Sequence, residues 1–258
     1  MAKKNFSEYI NSVERAFTVL NALCRADEMG ITELSRELAM GKTTVFRLVA
    51  TLEMLGLVRQ LPNGKYTLTL KLFEMGSQVM NRLGVRKLAA PFLEELFNAC
   101  NETVNLAVLD KGEVIYLDRW ESREPLRIGL DVGVRVPAYC SGLGKAILAH
   151  LTPEERVRAL GCGSLKGFTE TTVTDGALLE KEFDRVVRQG YAVDNGEYIE
   201  GIVCLGAPLF GHDGRVVAAI SIAAPSVRLN SRAIKALIPG LKETASKIST
   251  RLGYRAFK

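Results

Sequence analysis

Gly41-Lys42-Thr43-Thr44 sets a glycine, a cation and two hydroxyls in a row, the way a nucleotide-binding phosphate loop ends. Such a loop also needs a glycine at position 36 and a strand before it, because its backbone N–H groups must curl around the anion. Position 36 is Arg36, and Glu37-Leu38-Ala39-Met40 reads on as helix with a carboxylate that repels phosphate. The nucleotide reading fails. The same residues suit the phosphate of a DNA backbone. In a helix-turn-helix, Gly41 relaxes the turn, Lys42 faces a phosphate, and Thr43 or Thr44 opens a helix whose positive N-terminal end favours that anion. The outward face would carry Lys42, Thr43, Thr44, Phe46, Arg47, Ala50 and Thr51. Arg47 can grip a guanine edge with two hydrogen bonds, and Thr44 or Phe46 can meet a thymine methyl. Arg59 and Lys65 flank a later hairpin and would hold phosphates. From Lys42 to Lys65 four cations face Glu53 alone. A generic surface helix can look like this; the combination with a short preceding helix and an Asn-Gly wing points to double-stranded DNA.

A second constellation is Ser141-Gly142-Leu143-Gly144-Lys145. Two glycines let backbone approach a ligand, and free N–H groups at a helix start suit a carboxylate. The plainer alternative is a turn whose glycines merely fit the chain. Asp194 follows a strand-like run, while Cys204 and Ser221 lie on apolar ones; Ser221 either bonds to backbone or points into a pocket. Ser141 with Lys145, or Cys140 or Cys204, could mimic a nucleophile. No G-x-S-x-G elbow accompanies them, and neither His150 nor His212 lies in a catalytic frame. The expectation is therefore no enzyme. Cys24, Cys100, Cys140, Cys162 and Cys204 are odd in number and widely spaced, without a C-x-x-C pair. Cys162 and Cys204 could still meet in space, with small buried hydrophobes the plainer reading; no metal site, no cofactor and no disulfide framework is expected.

The elements that must position these groups follow from periodicity. Val13, Ala16, Phe17, Leu20 and Leu23 recur at helical spacing and predict a helix over 11–26 with that face inward. Thr32 is the expected cap of a short second helix ending near Ala39. A third helix runs over about 43–55 with Val45, Leu48, Val49 and Leu52 inward, and Gly56 ends it. Two strand-like runs then flank Pro62-Asn63-Gly64, where Asn-Gly tolerates positive φ at both positions. Residues 71–83 and 85–100 read as helices broken at Gly84. Beyond 103 come strand runs TVNLAVLD and EVIYLDRW around Lys111-Gly112, more strand in LRIGLDVGVRVP, and helices from SGLGKAILAHL, TPEERVRAL and 176–189. YAVDN, IVCLGAPLF and VVAAISIAAP read as strands, the last two joined at His212-Asp213-Gly214, and ALIPGLKETASKISTRL closes as a helix. Hairpins mixed with helices argue an α+β fold. The division is 1–70 as a winged helix-turn-helix DNA-binding domain, 71–84 as a linker helix, and 85–258 as the second domain. With 258 residues, 47% of them hydrophobic, no staple is needed for a core. No apolar run is long enough for a transmembrane helix, and MAKKNFSEYINS lacks a signal-peptide core, so the expected setting is the cytoplasm.

These blocks together resemble the IclR family of bacterial transcription regulators. The residues that carry the likeness are SVERAFTVLNAL, GITELSRELAMGKTTVFRLVATLEMLGLVRQ and KYTLTLKLFEMG, then CSGLGKAILA, DNGEYIEGIVCLGAP and AAISIAAP. The first half looks especially like members that respond to 2-keto-3-deoxygluconate. The resemblance implies a GAF-like effector-binding and oligomerisation domain at 85–258, a homodimer that can pair into a dimer of dimers, a roughly palindromic operator, and a repressor rather than an activator. It also implies an effector pocket for a small carboxylate. Ile128 and Val136 would be apolar wall, Gly142 and Leu143 backbone donors, and Asp194, Ile202, Cys204 and Ser221 lining. Many members carry serine where this chain has Ala223, so one hydroxyl is lost and the ligand is smaller, less hydroxylated or differently oriented. The alternatives are a ligand-independent DNA-binding protein, or an enzyme that uses the second domain.

Overall fold

Asn11–Arg25 form helix α1, and its buried residues are Val19, Leu20, Ala22 and Leu23. The computed structural model describes residues 10–82, 84–126, 130–161 and 163–255. Val13 and Phe17, expected inward, stay 54% and 62% exposed. The apolar periodicity of α1 therefore covers more than one face, and the core takes only its C-terminal part. Helices α2 (Ile31–Glu37) and α3 (Lys42–Met54) pack Leu34, Val45, Val49 and Leu52 into the same cluster. Strands β1 (Val58–Gln60) and β2 (Tyr66–Leu68) form an antiparallel wing, and helix α4 (Lys71–Arg82) follows, with Leu72 packed against this core. The chain divides into two units, Met1–Arg82 and Leu83–Lys258.

Three local expectations change. The cap of α2 is Gly30, not Thr32: Glu33 reaches back to accept the Gly30 N–H at 2.7 Å, as a carboxylate at the third helical position can. The turn between α2 and α3 places its left-handed residue at Ala39 (φ 50°), while Gly41 has φ −60° and starts α3 as its cap. Met40 N–H donates to Ser35 O at 3.1 Å and Ala39 N–H to Arg36 O at 3.4 Å, the paired bonds of a Schellman end. The bend thus comes from the close of α2, and Gly41 does not relax it. In the wing, Gly64 alone takes positive φ (82°), and Asn63 instead hydrogen-bonds Lys65 N–H at 3.0 Å.

The second unit is built on a six-stranded antiparallel sheet in the order β5-β4-β3-β8-β7-β6. Its strands are β3 (Thr103–Asp110), β4 (Glu113–Trp120), β5 (Arg135–Pro137), β6 (Ala192–Asn195), β7 (Ile202–Phe210) and β8 (Val216–Pro225). Lys111 and Gly112, both at positive φ, close the β3–β4 hairpin. Of the run 126–137, only β5 is strand among the described residues. Helices α5 (Val85–Cys100) and α9 (Ser231–Arg251) pack together, α5 against β3 and β4 and α9 against β7 and β8. The closing helix begins earlier than expected because Asn230 caps it, and Pro239 is carried inside. Helices α6 (Gly142–Leu148), α7 (Pro153–Leu160) and α8 (Gly176–Gln189) complete the unit, and α6 packs on β6, β7 and β8.

Alternate residues of a strand share a face, and the register lines up the important ones. Thr103 pairs Ala223, Ala223 pairs Cys204, and Cys204 pairs Asp194, giving one row across β3, β8, β7 and β6. The next row is Asn105, Ser221, Gly206 and Ala192.

Ala39 tests the turn. A left-handed conformation costs an L-residue about 1–2 kcal/mol, and glycine escapes most of that. Ala39→Gly should raise the stability of the first unit by about 1 kcal/mol in chemical denaturation; a loss would contradict the assignment of the bend.

Candidate functional site

Helix α3 presents Lys42, Thr43, Phe46, Arg47, Ala50 and Thr51 to solvent, with Thr44 half-buried. Its first N–H groups receive no side-chain cap, so they remain available to an anion at the positive end of the helix. Among the described residues no carboxylate lies within ion-pair distance of Lys42, Arg47 or Arg59. Thr51 Oγ1 donates to Arg47 O at 2.8 Å, which turns its hydroxyl back onto the helix. Lys65 has a different occupation: its ammonium lies 3.5 Å from Glu28 and 3.4 Å from Glu33. With Asn63 donating to Glu28 at 3.1 Å, and the Met29–Tyr66 bridge, it clamps the wing to the start of α2. The wing's free cation is Arg59, and Lys65 first acts as a brace.

The second unit holds a cavity of about 450 Å³, counting its open mouth, above the first cross-strand row. Thr103, Ala223, Cys204 and Asp194 form its floor, with Asn105 and Ser141 beside them. Val136, Leu130, Ile199 and Ile202 supply apolar wall, and Tyr116, Arg119 and Tyr198 the remaining polar lining. Tyr116 and Arg119 are three residues apart, a spacing that would point them to opposite faces of a regular strand. A bulge between Leu106 and Ala107 and their β4 partners removes the conflict: Asp118 pairs Leu106 and Tyr116 pairs Ala107, so Leu117 is skipped and both side chains reach the cavity. Arg119 donates to Leu130 O at 2.6 Å and lies 3.0 Å from Glu121.

The expected lining residues divide. Val136, Asp194, Ile202 and Cys204 line the cavity. Ser221 is fully buried one row deeper and accepts from Asn105 Nδ2 at 3.2 Å. Gly142 and Leu143 are buried and are not among the lining residues. A methyl on Gly206 would overlap the Gly142 carbonyl, and one on Gly144 would overlap the backbone of Ala138. These glycines let helix meet strand and turn; the close approach is protein on protein. Ile128 lies outside the described residues, as does Cys162. The residues missed by sequence reading are Thr103, Asn105, Tyr116, Arg119, Leu130, Tyr198 and Ile199. An alternation count cannot anticipate the bulge, and nothing in the loops signals which side chain turns inward.

Ser141 Oγ accepts the Gly144 N–H at 3.1 Å and so caps α6. Lys145, on the first turn of α6, is completely buried; its ammonium bonds Glu182 at 3.0 Å and Glu197 more closely. Held between two carboxylates, it is poorly suited to deprotonate Ser141. Asp194 Oδ1 accepts the Glu197 N–H at 2.8 Å. Burial pushes the Asp194 carboxyl up to about 7, against the opposing pull of that N–H and of Lys145. Burial likewise raises the Cys140 and Cys204 thiols to about 12, which makes them inert as nucleophiles at neutral pH. No group of three or more ligating side chains suited to a metal occurs, and no helix is long and apolar enough to cross a membrane, among the described residues.

Comparison with known proteins gives concordant results for both units. Residues 77–250 match the family model described as bacterial transcriptional regulator IclR C-terminal, and residues 12–62 match the IclR helix-turn-helix domain. The chain is 35% identical over 249 residues to the HTH-type transcriptional regulator KdgR of Escherichia coli (strain K12), covering 96% of this chain and 95% of that protein. The structure is similar to the Thermotoga maritima IclR at a TM-score of 0.82 with 31% identity, covering 95% of this chain and 100% of that one. It is also similar, at a TM-score of 0.82 and 27% identity, to an IclR homolog from Microbacterium hydrocarbonoxydans complexed with 4-hydroxybenzoate. That likeness covers 93% of this chain and 98% of the other.

Two measurements probe the buried charges. Lys145→Met strands Glu197 and Glu182 and should cost the second unit about 3–5 kcal/mol by chemical denaturation. Asp194 provides a pH test. Because its folded value of about 7 exceeds the ordinary 3.8, its contribution to stability is complete below 3.8 and is lost as pH climbs through about 7. Asp194→Asn cannot ionise, so its melting temperature should gain on that of the natural protein between about pH 4 and about pH 7 and level off above. A constant offset would show that the folded Asp194 is already ionised across this range, as it is in the unfolded chain.

Proposed function

The chain belongs to the IclR family of bacterial transcription regulators, and on that premise we propose that it is a repressor whose grip on an operator is altered by a small organic acid held in the second unit. The carrying observation is the combination in one chain of an exposed cationic reading helix and a separate cavity. That cavity is floored by Thr103, Ala223, Cys204 and Asp194 and walled by apolar side chains. Arg119 lines one side of it with a guanidinium that is paired with Glu121 and lies 3.7 Å from Asp131. Ala223 puts a methyl where a hydroxyl would serve a sugar acid, and Tyr116, Tyr198, Val136, Leu130 and Ile202 offer more apolar contact than hydrogen bonding. An acid with an aromatic or short aliphatic body fits this lining better than a polyhydroxylated one. The 4-hydroxybenzoate in the Microbacterium protein is in keeping with that choice.

Val13 and Phe17 on α1, with Phe73 and Met75 on α4, are exposed apolar side chains of the kind that a second copy covers. In the proposed dimer two α3 helices enter successive major grooves about 34–36 Å apart, so the operator is roughly palindromic. The acid then needs only a differential affinity of about 1–3 kcal/mol between operator-competent and incompetent states, transmitted through the 71–84 segment. Arg47 reads a base, while Lys42, the α3 N–H groups and Arg59 hold phosphates.

Arg47→Ala should weaken binding to the cognate operator by about 1–3 kcal/mol and leave binding to unrelated DNA nearly unchanged. Equal losses on both would make Arg47 a phosphate contact. For the effector, a thermal-shift screen of keto, aromatic and sugar acids should find one that stabilises the protein by about 2.7 kcal/mol at a hundred times its Kd. The same acid should release operator DNA. If no acid shifts the melt while operator binding is intact, the protein is a ligand-independent DNA binder.

A further inference from the structure

Asp194 stands between a filled wall and an open one. It is 6% exposed, and its carboxyl lines the cavity. Its Oδ1 is occupied by the Glu197 N–H. No side chain donates to Oδ2 among the described residues. The nearby ammonium does not reach Asp194, because Lys145 is taken up by Glu182 and Glu197. Arg185 adds a second cation to Glu182 at 3.1 Å. Lys145 and Arg185 therefore already balance Glu182 and Glu197. An ionised Asp194 would be an uncompensated third carboxylate in an enclosed wall, which is strongly unfavourable; a protonated one leaves the cluster neutral.

The other groups that face it leave that balance standing. Cys204 on β7 and Cys140 before α6 keep their protons at neutral pH, and Tyr116 on β4 is pushed far above the usual phenol range by burial. Tyr198 follows on the segment after β6. Arg119 on β4 is a permanent cation, but it is engaged by Leu130 O and Glu121. Burial pushes the Glu197 carboxyl up as well and its Oε2 has no hydrogen-bond partner, but its Oε1 is bonded directly to the Lys145 ammonium, a contact Asp194 lacks; Glu182 is held by Lys145 and Arg185.

On the acid-effector reading above, we infer that Asp194 faces the cavity as an uncharged carboxylic acid and donates a hydrogen bond from Oδ2 to an acceptor oxygen of the effector, a carboxylate or a carbonyl. Asp194 is then a specificity determinant: it selects an acceptor at that point and rejects an ammonium or amide donor. No bond is made or broken. Where the free protein has lost this proton, binding draws one from solvent and the complex keeps it. Since burial sets that loss near neutrality, the draw grows from about pH 7 upward.

The test is isothermal titration calorimetry on the full chain with benzoate, 4-hydroxybenzoate and 2-keto-3-deoxygluconate. It is run at about pH 6 to about pH 9 in buffers of different ionisation enthalpy. The expected result for an acid that binds is a Kd that rises toward tenfold per pH unit above neutrality, with uptake approaching one proton per site. Asp194→Asn keeps a donor in its amide, so it should bind with a flat pH profile and no uptake. A flat profile without uptake in the natural protein overturns the inference and needs no variant. Proton uptake that persists in Asp194→Asn also overturns it, because another group would then be titrating. If none of the three acids binds at any pH, the acid-effector reading itself falls, and this inference with it.

Discussion

The second unit depends on one backbone contact, the Gly142 carbonyl lying directly over Gly206. No side chain fits there, so the start of α6 sits as close to β7 as backbone allows. Gly144 repeats the arrangement against the turn at Ala138. These approaches hold α6 by shape rather than by hydrogen bonds, and close-packed interiors transmit such constraints with little give. The consequences run outward. Ser141 is fixed as the cap, Lys145 is driven into the interior, and the second cross-strand row is roofed. The cavity is left above the first row, where Cys204 and Asp194 lie next to each other across β7 and β6.

Burying Lys145 obliges the fold to answer a charge. It does so with two carboxylates from separate elements, Glu182 on α8 and Glu197 after β6. That pairing ties α6, α8 and the rim of the cavity together, and breaking it from either side leaves a buried ion, the expensive case. It also decides the character of Asp194. With the ammonium committed elsewhere, Asp194 has a backbone donor and a neighbouring cluster whose charges are already balanced, and neutrality is its low-energy state. The polar chemistry of the pocket is thus set by a lysine that does not line it.

The first unit follows a simpler logic. Its core is a small cluster from α1, α2, α3 and the wing, and the cations Lys42 and Arg47 on α3 and Arg59 on β1 lie outside it in solvent. Residues that look equally cationic in the chain have different tasks in space. Lys65 braces the wing against Glu28 and Glu33, whereas Arg47 and Arg59 face solvent. A count of positive charge between Lys42 and Lys65 could not separate them, because ion pairing with residues on the far side of α2 is a tertiary matter.

Much was legible beforehand. The helical period of α3, the stop at Gly56, the Lys111-Gly112 hairpin and the apolar, strand-prone runs of β3, β4, β7 and β8 are local signals, governed by interactions over a few residues. They gave the α+β class and the order of elements, and the ordered motifs gave the family. The bend at Ala39 and the cap of α2 are local misses, set by hydrogen bonds within five residues; the other failures are non-local. Val13 and Phe17 are apolar but lie on a face of α1 that this unit does not cover. The bend before α3 falls at Ala39, because the end of α2 dictated it. The glycines at 142 and 144 suit a ligand or a close turn equally by type, and in the fold they make room for β7 and for Ala138. Tyr116 and Arg119 share a face only through a bulge that the partner strand imposes. Sequence alone determined which elements form and in what order, since backbone propensity and side-chain period act within a segment. Which residues meet in the cavity, and which carboxyl keeps its proton, were decided by the tertiary structure, since register, burial and charge pairing exist only between segments.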